Sequence, residues 1–367
     1  MNVPFVDLKR MNSEVKPEIE KRIAGIIETN SFILGKNVKN FEENFAKYCQ
    51  TKFCIGVSNG TTALELALIA LNVGQGDEVI TVPNSFFATS EAILLTKAKP
   101  IFVDIEKDSY TIDVSKIEKA ITKKTKAILP VNLYGQSADM KPVIEIAVKH
   151  DLRVIEDCAQ SHGALYNGKK SGSFGDINCF SFYPTKNLGA FGEAGAVVSN
   201  DKELSEKLSL LRSHGENPKN KHSVVGFNFR MEEIQGAVLD AKLKHLDKWN
   251  DARRKTAKIF NEELQDLKQI SLPIEKENRK HVYHLYVTAV EKRDKLREFL
   301  EKKGISTSIH YPVPIHLQPA FSNSGFKKGQ FPVSETTAQK IVSLPMFYGM
   351  TQEEALYLTE SIKEFYS

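Results

Sequence analysis

Phe180-Ser181-Phe182-Tyr183-Pro184-Thr185-Lys186-Asn187-Leu188-Gly189-Ala190-Phe191-Gly192-Glu193-Ala194-Gly195 opens as an apolar strand and closes as a glycine-rich loop around one lysine. Residues 179–182 read as the strand. Pro184 ends it, because proline cannot donate to a sheet ladder. Lys186 then sits between aromatic residues and glycines. Burial beside apolar rings disfavours the ammonium form and lowers a lysine pKa. A neutral amine is what condensation with a carbonyl requires, so Lys186 is a candidate Schiff-base residue. It also reads as a surface-loop lysine, one of the chain's 50 Lys+Arg residues. Residues 194–199 form a second apolar run, expected to lie antiparallel to the first.

Upstream, strands and helices alternate from about residue 53 to residue 200, which argues for an α/β layered domain with a mostly parallel sheet. Residues 53–57 read as a strand, Ser58-Asn59-Gly60-Thr61-Thr62 as a small polar turn, and 63–71 as a helix. The first amides of such a helix lack internal acceptors and face the positive end of its dipole, so the turn can cradle a phosphate. It can equally be a plain N-cap. Strands follow at 78–82, 99–103 and 127–131, with helices at 85–96, 113–121 and 143–150. Phe86, where a strand meets a helix, can lie over a flat ligand or join the core. Residues 153–157 form a strand ending in Glu156-Asp157, then Cys158-Ala159-Gln160-Ser161-His162-Gly163. Open α/β sheets bind ligands beyond the carboxyl ends of their strands. A carboxylate there can hold a cationic ring nitrogen, or cap the next helix.

At the N-terminal side, apolar spacing predicts helices over 14–29 and 38–48, an arm that packs on a partner subunit or on its own domain. Beyond residue 200 the pattern predicts a helix over 203–214, an exposed loop at 216–222, and one long helical segment from 232 to 267. Past residue 271 it changes to strand 283–290, helix 293–303, strand 305–311, and helices 336–341 and 352–365. This fits a small α+β domain. The expected division is residues 1–250 for the large domain and 251–367 for the small one.

Composition narrows the class. The chain has 367 residues, 41% hydrophobic and 26% charged, with net charge +4. That is ordinary for a globular protein and does not argue for nucleic-acid binding. No apolar run is long enough for a membrane span, and residues 1–10 lack the apolar core of a secretory signal. The four cysteines lack zinc spacing and read as reduced thiols in a cytoplasmic enzyme. No metal motif appears, and no G-x-G-x-x-G follows the first strand, which counts against a dinucleotide-binding protein.

Five windows in order, Ser58–Leu64, Glu156–Gly163, Ser181–Asn187, Asn228-Phe229-Arg230-Met231 and His310-Tyr311-Pro312, resemble the DegT/DnrJ/EryC1/StrS family over nearly the whole chain. Members are pyridoxal-phosphate (PLP) aminotransferases of nucleotide-linked keto sugars. The resemblance implies the aspartate-aminotransferase-like fold (fold type I) and a homodimer with shared active sites. Carried over, Lys186 resembles the lysine that binds PLP, and Asp157 the partner of its pyridine nitrogen. Gln160 lies where the ring hydroxyl is met. Gly60, Thr61 and Ser181 resemble phosphate ligands, Phe86 the stacked aromatic, and Asn228 a phosphate contact from the other subunit.

The loop 187–195 looks like that of the branch acting on 3-keto sugars, although Glu193-Ala194-Gly195 stands where many relatives carry Asp-Gly-Gly. With Tyr183 before the proline, this implies dTDP-3-oxo-6-deoxyhexose (gluco or galacto) and L-glutamate as substrates, in deoxysugar and glycan biosynthesis. Tyr183, His310, Tyr311 and His316, with Gln318, are candidate sugar or nucleotide contacts, or packing residues of the small domain. Arg230 could meet the diphosphate. The alternatives are amination at C4, a PLP sugar dehydratase, whose relatives replace this lysine by histidine, and a non-enzymatic regulator.

Overall fold

The computed structural model describes all 367 residues. A seven-stranded sheet forms its centre, in the order Phe53–Val57, Gly195–Ser199, Ile177–Ser181, Arg153–Asp157, Thr125–Ile128, Glu78–Thr81, Lys99–Phe102. Strands from Ile177–Ser181 to Lys99–Phe102 pair in parallel. Gly195–Ser199 runs antiparallel to both of its neighbours, with Ser181 opposite Gly195. The sheet is therefore mixed and mostly parallel, as the alternation predicted. Phe53–Val57, Arg153–Asp157 and Ile177–Ser181 all point the same way, so Val57, Asp157 and Ser181 end at one edge of the sheet.

Helices cover both faces. Gly60–Ala70 buries its apolar face, with Ala63, Leu64, Leu66, Ala67 and Leu68 in the largest apolar cluster. On the other face, Phe41 and Phe45 of helix Lys36–Tyr48 pack edge-on against Phe180 and Phe182. That contact roots the strand leading into the Lys186 loop. Helix Leu8–Thr29 begins well before the predicted residue 14, because Asp7 caps it while its polar first turns hide the periodicity. Its buried Met11, Val15 and Ile19 lie against Val238 and Ala241 of helix Glu233–Leu243 of the same chain.

A second, antiparallel sheet joins Ile270–Ser271, Tyr286–Val290 and Ile341–Leu344, backed by helices Arg293–Lys302 and Gln352–Tyr366. Val3 enters its core and bridges to Ile305. The long helix predicted over 232–267 is two helices, Glu233–Leu243 and Leu246–Leu264, broken at Lys244 and His245. Leu246 packs with Phe41, whereas Ala257, Phe260 and Leu264 pack in the second sheet's core. Residues 305–311 are not a strand. Only Ile305 and Ser308 make single bridges, and the segment then leaves the sheet toward the edge where Asp157 ends. The helix expected over 336–341 is Pro332–Lys340, and Ile341 instead opens the strand Ile341–Leu344, since a four-residue apolar run fits a helix end as well as a strand.

Candidate active site

At the end of Phe53–Val57, Asn59 caps the helix Gly60–Ala70. Its side chain accepts from the Thr62 amide at 2.9 Å, and the Thr62 hydroxyl accepts from the Asn59 amide at 3.1 Å. The N-cap reading of this turn is observed, and it leaves room for the cradle reading. Asn59 is the cap, and the amides of Gly60 and Thr61 are left without an acceptor in the protein. A Cβ on Gly60 would lie 2.5 Å from Ser181 Cβ, so the two segments meet at a distance only glycine permits. Free amides, a helix N-terminus and a serine from the neighbouring strand end make an anion cradle. Arg230 bridges to Val57 beside it, and the carbonyl of Phe229 accepts from the Ser58 amide at 3.0 Å.

Asp157 ends its strand with a buried side chain. One carboxylate oxygen accepts from the Thr89 hydroxyl at 2.9 Å and the other from the Ala159 amide at 3.1 Å. Burial raises its pKa, and these donors together with the Lys186 charge oppose the rise. The neighbouring Glu156 points to the other side of the strand, where Asn132, Ser171 and the amides of Gly172 and Phe174 hold it. Of the two acids, Asp157 is the one with Lys186 nearby.

Lys186 is surrounded by protein, although part of its side chain stays accessible. Burial lowers its pKa to about 8, against the pull of Asp157. The residue stands in a loop, and burial depresses its amine. Asn187, next in sequence, is buried and fully bonded. Its amide nitrogen donates to Asn250 Oδ1 at 2.7 Å and to the Val282 carbonyl at 3.1 Å, and its oxygen faces His284 Nδ1 at 3.1 Å. Because the Val282 carbonyl can only accept, the orientation of the amide is determined, and His284 must carry its proton on Nδ1.

Gln160 is buried and accepts from the Tyr134 amide at 2.8 Å, while its nitrogen donates to the Tyr311 hydroxyl at 3.3 Å. Tyr311 lies 5.6 Å from the ring of Phe86, which is 56% exposed and so offers a free aromatic face. His310 stacks on Phe5 and bonds Ser343 at 2.8 Å. Its carbonyl accepts from the Tyr134 hydroxyl. Burial and the Lys186 charge lower its pKa to about 4, so the ring is neutral. Tyr183 is half exposed next to the loop. Asn228 is exposed, with its backbone bridged to Ser213.

Two candidates lie elsewhere. His316 is fully buried against Phe331 and pairs with Glu335 at 3.1 Å, which is the packing position the sequence left open for it. Gln318 bonds the Val313 carbonyl at the surface. Conversely, Thr89, Tyr134, Asn187 and His284 had no role in the sequence reading. Tyr134 carried a signal, since it follows a predicted strand at its carboxyl end. Thr89 did not, because its bond to Asp157 spans 68 residues.

The residues fit a phosphorylated pyridine aldehyde. A phosphate suits the free amides of Gly60 and Thr61, and a ring suits the exposed Phe86. A buried carboxylate met only by neutral donors suits a cationic ring nitrogen. An amine depressed to about 8 suits an aldehyde.

The chain matches the DegT/DnrJ/EryC1/StrS aminotransferase family over residues 13–363. It is 46% identical to a pleiotropic regulatory protein of Geobacillus stearothermophilus, covering 100% of this chain and 99% of the relative. It is 43% identical to dTDP-3-amino-3,6-dideoxy-alpha-D-galactopyranose transaminase of Aneurinibacillus thermoaerophilus, covering 99% of both chains. The crystal structure of DesV from S. venezuelae, in complex with a ketimine intermediate, superposes with a TM-score of 0.97 at 41% identity, covering 99% of this chain and 98% of that one. Other solved structures similar to this chain are in PLP and PMP forms. This chain belongs to the DegT/DnrJ/EryC1/StrS aminotransferase family.

Proposed function

We propose that this protein is a PLP-dependent aminotransferase that moves the amino group of L-glutamate to C3 of a dTDP-linked 3-oxo-6-deoxyhexose, giving a dTDP-3-amino-3,6-dideoxyhexose and 2-oxoglutarate. The observation that carries the reading is the depressed amine of Lys186, set beside the buried carboxylate of Asp157 at the strand ends. Bound PLP supplies an electron sink for charge developing on carbon. Asp157 keeps the ring nitrogen protonated, and the Thr89 and Ala159 bonds hold that carboxylate in place. Lys186, with a pKa of about 8, can both release and accept a proton near neutral pH. With PLP bound, Gly60, Thr61 and Ser181 would hold its phosphate, Phe86 would cover its ring and Gln160 would meet its hydroxyl. Tyr183, His310 and Tyr311 border the space left for the sugar.

The 3-keto sugar and the dTDP group follow from the transaminase relative and from the loop after Lys186. A homodimer with shared sites is supported by exposed Phe32, Ile33, Phe191 and Val225, and by the free side chain of Asn228. A large domain of residues 1–250 and a small one of residues 251–367, joined through helix Leu246–Leu264, completes the proposal. Four buried, unpaired cysteines support a cytoplasmic site of action, and no helix is long and apolar enough to cross a membrane.

The deciding assay supplies L-glutamate and a panel of dTDP-keto-6-deoxyhexoses, with the aminated carbon located by NMR. Amination at C3 is expected. Amination at C4 overturns the substrate assignment. The name of the Geobacillus relative favours a second reading as a regulatory protein, and no turnover across the panel by PLP-loaded protein would favour it.

A further inference from the structure

Lys242 has no part in the site described above, yet it is 1% exposed on helix Glu233–Leu243. Its Nζ makes one hydrogen bond, donating to the Gly189 carbonyl at 2.7 Å, and lies 4.6 Å from the centre of the Phe191 ring. No acidic partner offsets its burial, which alone lowers its pKa to about 7. A buried, unpaired amine is costly, and a methionine would fill the same space without that cost. A directed contact explains its presence better than packing does.

That contact falls on the loop carrying Lys186. From the same helix, Gln235 accepts from the Phe191 amide at 2.9 Å and donates to the Phe191 carbonyl at 3.2 Å. The loop is folded tightly on itself. The Ala190 amide donates to the Phe182 carbonyl at 2.8 Å, and a Cβ on Gly189 would lie 2.2 Å from the Pro184 carbonyl oxygen. Helix Glu233–Leu243 is itself seated closely, since a Cβ on Gly236 would meet the Val38 backbone at 2.7 Å. Gly189 and Phe191 are thus fastened to a helix with little room to shift, and Lys186 lies three residues before Gly189. The bond to Gly189 does not depend on charge, because a neutral amine also donates.

We propose that Lys242 is a positioning residue for Lys186. By holding the Gly189 carbonyl it sets the loop from which the reacting amine projects. The proposal rests on the reading of Lys186 as the PLP-binding lysine, and the test separates the two.

The experiment compares wild type, Lys242→Met, Lys242→Arg and Lys186→Ala. It follows the rate at which apo protein develops the visible PLP band, the steady-state kcat and KM, and the melting temperature of the apo form. If Lys186→Ala keeps a normal visible band, the underlying lysine assignment fails whatever Lys242 does. With that control passed, Lys242→Met is expected to melt no lower than wild type. It should capture PLP at least about tenfold more slowly and lose kcat with KM for the sugar nucleotide little changed, as misplacement of a reacting group does. Lys242→Arg, which keeps a donor, should recover part of both rates. Unchanged capture and kcat in Lys242→Met would overturn the proposal. So would a parallel loss of melting temperature and capture with no recovery in Lys242→Arg, which makes the residue a general fold determinant. Should Lys242→Met not fold, Gln235→Ala removes the adjoining grip, and wild-type capture and kcat there would also overturn it.

Discussion

The hydroxyl of Thr89 donates to the carboxylate of Asp157 at 2.9 Å, and the Thr89 oxygen lies 2.8 Å from the hydroxyl of Ser85. A short relay from the start of one helix thus steadies the acid at the end of a strand. The donor also favours the ionised form, opposing the effect of burial. Thr89→Val keeps the shape and removes the donor. A hydrogen bond to a charged group is worth about 1.5–3 kcal/mol, so kcat/KM should fall by roughly 10- to 100-fold. Steady-state kinetics with L-glutamate and the keto sugar check this, and wild-type values would deny Thr89 its role.

The contact between Gly60 and Ser181 gives a separable test of the phosphate cradle. Gly60→Ala places a methyl group 2.5 Å from Ser181 Cβ. Overpacking of this kind costs about 1–3 kcal/mol. Ser181→Gly in the same protein should relieve the strain and restore apo stability in denaturant unfolding. It should not restore PLP affinity, because the serine donor is gone and the added methyl still occupies the cradle. Recovery of both would mean that the cradle does not bind the phosphate.

Lys186 predicts a pH dependence of stability in the apo protein. Its folded pKa of about 8 lies below the ordinary value of 10.5, so between these pH values the unfolded chain binds more protons. Stability from this group therefore rises with pH across that window. Below pH 8 the cost of burying the ammonium is fully present, at most about 3 kcal/mol. Apo Lys186→Met should be more stable than wild type at pH 7, and the gap should narrow toward pH 10. Urea unfolding of the pair measures it, and a gap independent of pH would contradict the depressed amine.

Asn228 tests the sharing of sites between subunits. Lys186→Ala and Asn228→Ala subunits, each inactive alone, should regain activity once mixed dimers form. In a twofold dimer with random exchange, half the dimers are mixed and each holds one intact site, so about one quarter of wild-type activity is expected. No recovery in a demonstrated mixed dimer would place Asn228 outside the partner's site.

Much of this was legible from local pattern. The polar turn between strand and helix at Ser58 to Thr62, the strand ending in Asp157, and the strand broken by Pro184 before Lys186 all stand where the local pattern puts them. Strand and helix signals depend on neighbouring residues, through side-chain period, caps and chain breakers, so a sequence carries them openly. The same dependence explains the misses at the strand Ile341–Leu344 and at residues 305–311, where a short run satisfies two patterns equally.

The sequence by itself determined the local settings of the candidate residues, a lysine in a glycine-rich turn and an acid at a strand end, because side-chain period, caps and chain breakers are read from neighbouring residues. Only the tertiary structure decided which of them meet. The strand order brings Val57, Asp157 and Ser181 to one edge, and the packing of helices and loops on the sheet pairs Thr89 with Asp157, Gln160 with Tyr311 and Lys242 with Gly189. It also withdraws His316 into a packed cluster with Glu335. These contacts join groups 68, 151 and 53 residues apart in the first three pairs and 19 in the last. A hydrogen-bonding group carries no mark of its distant partner. The pairing arises only when burial of the apolar faces settles how the strands and helices stack.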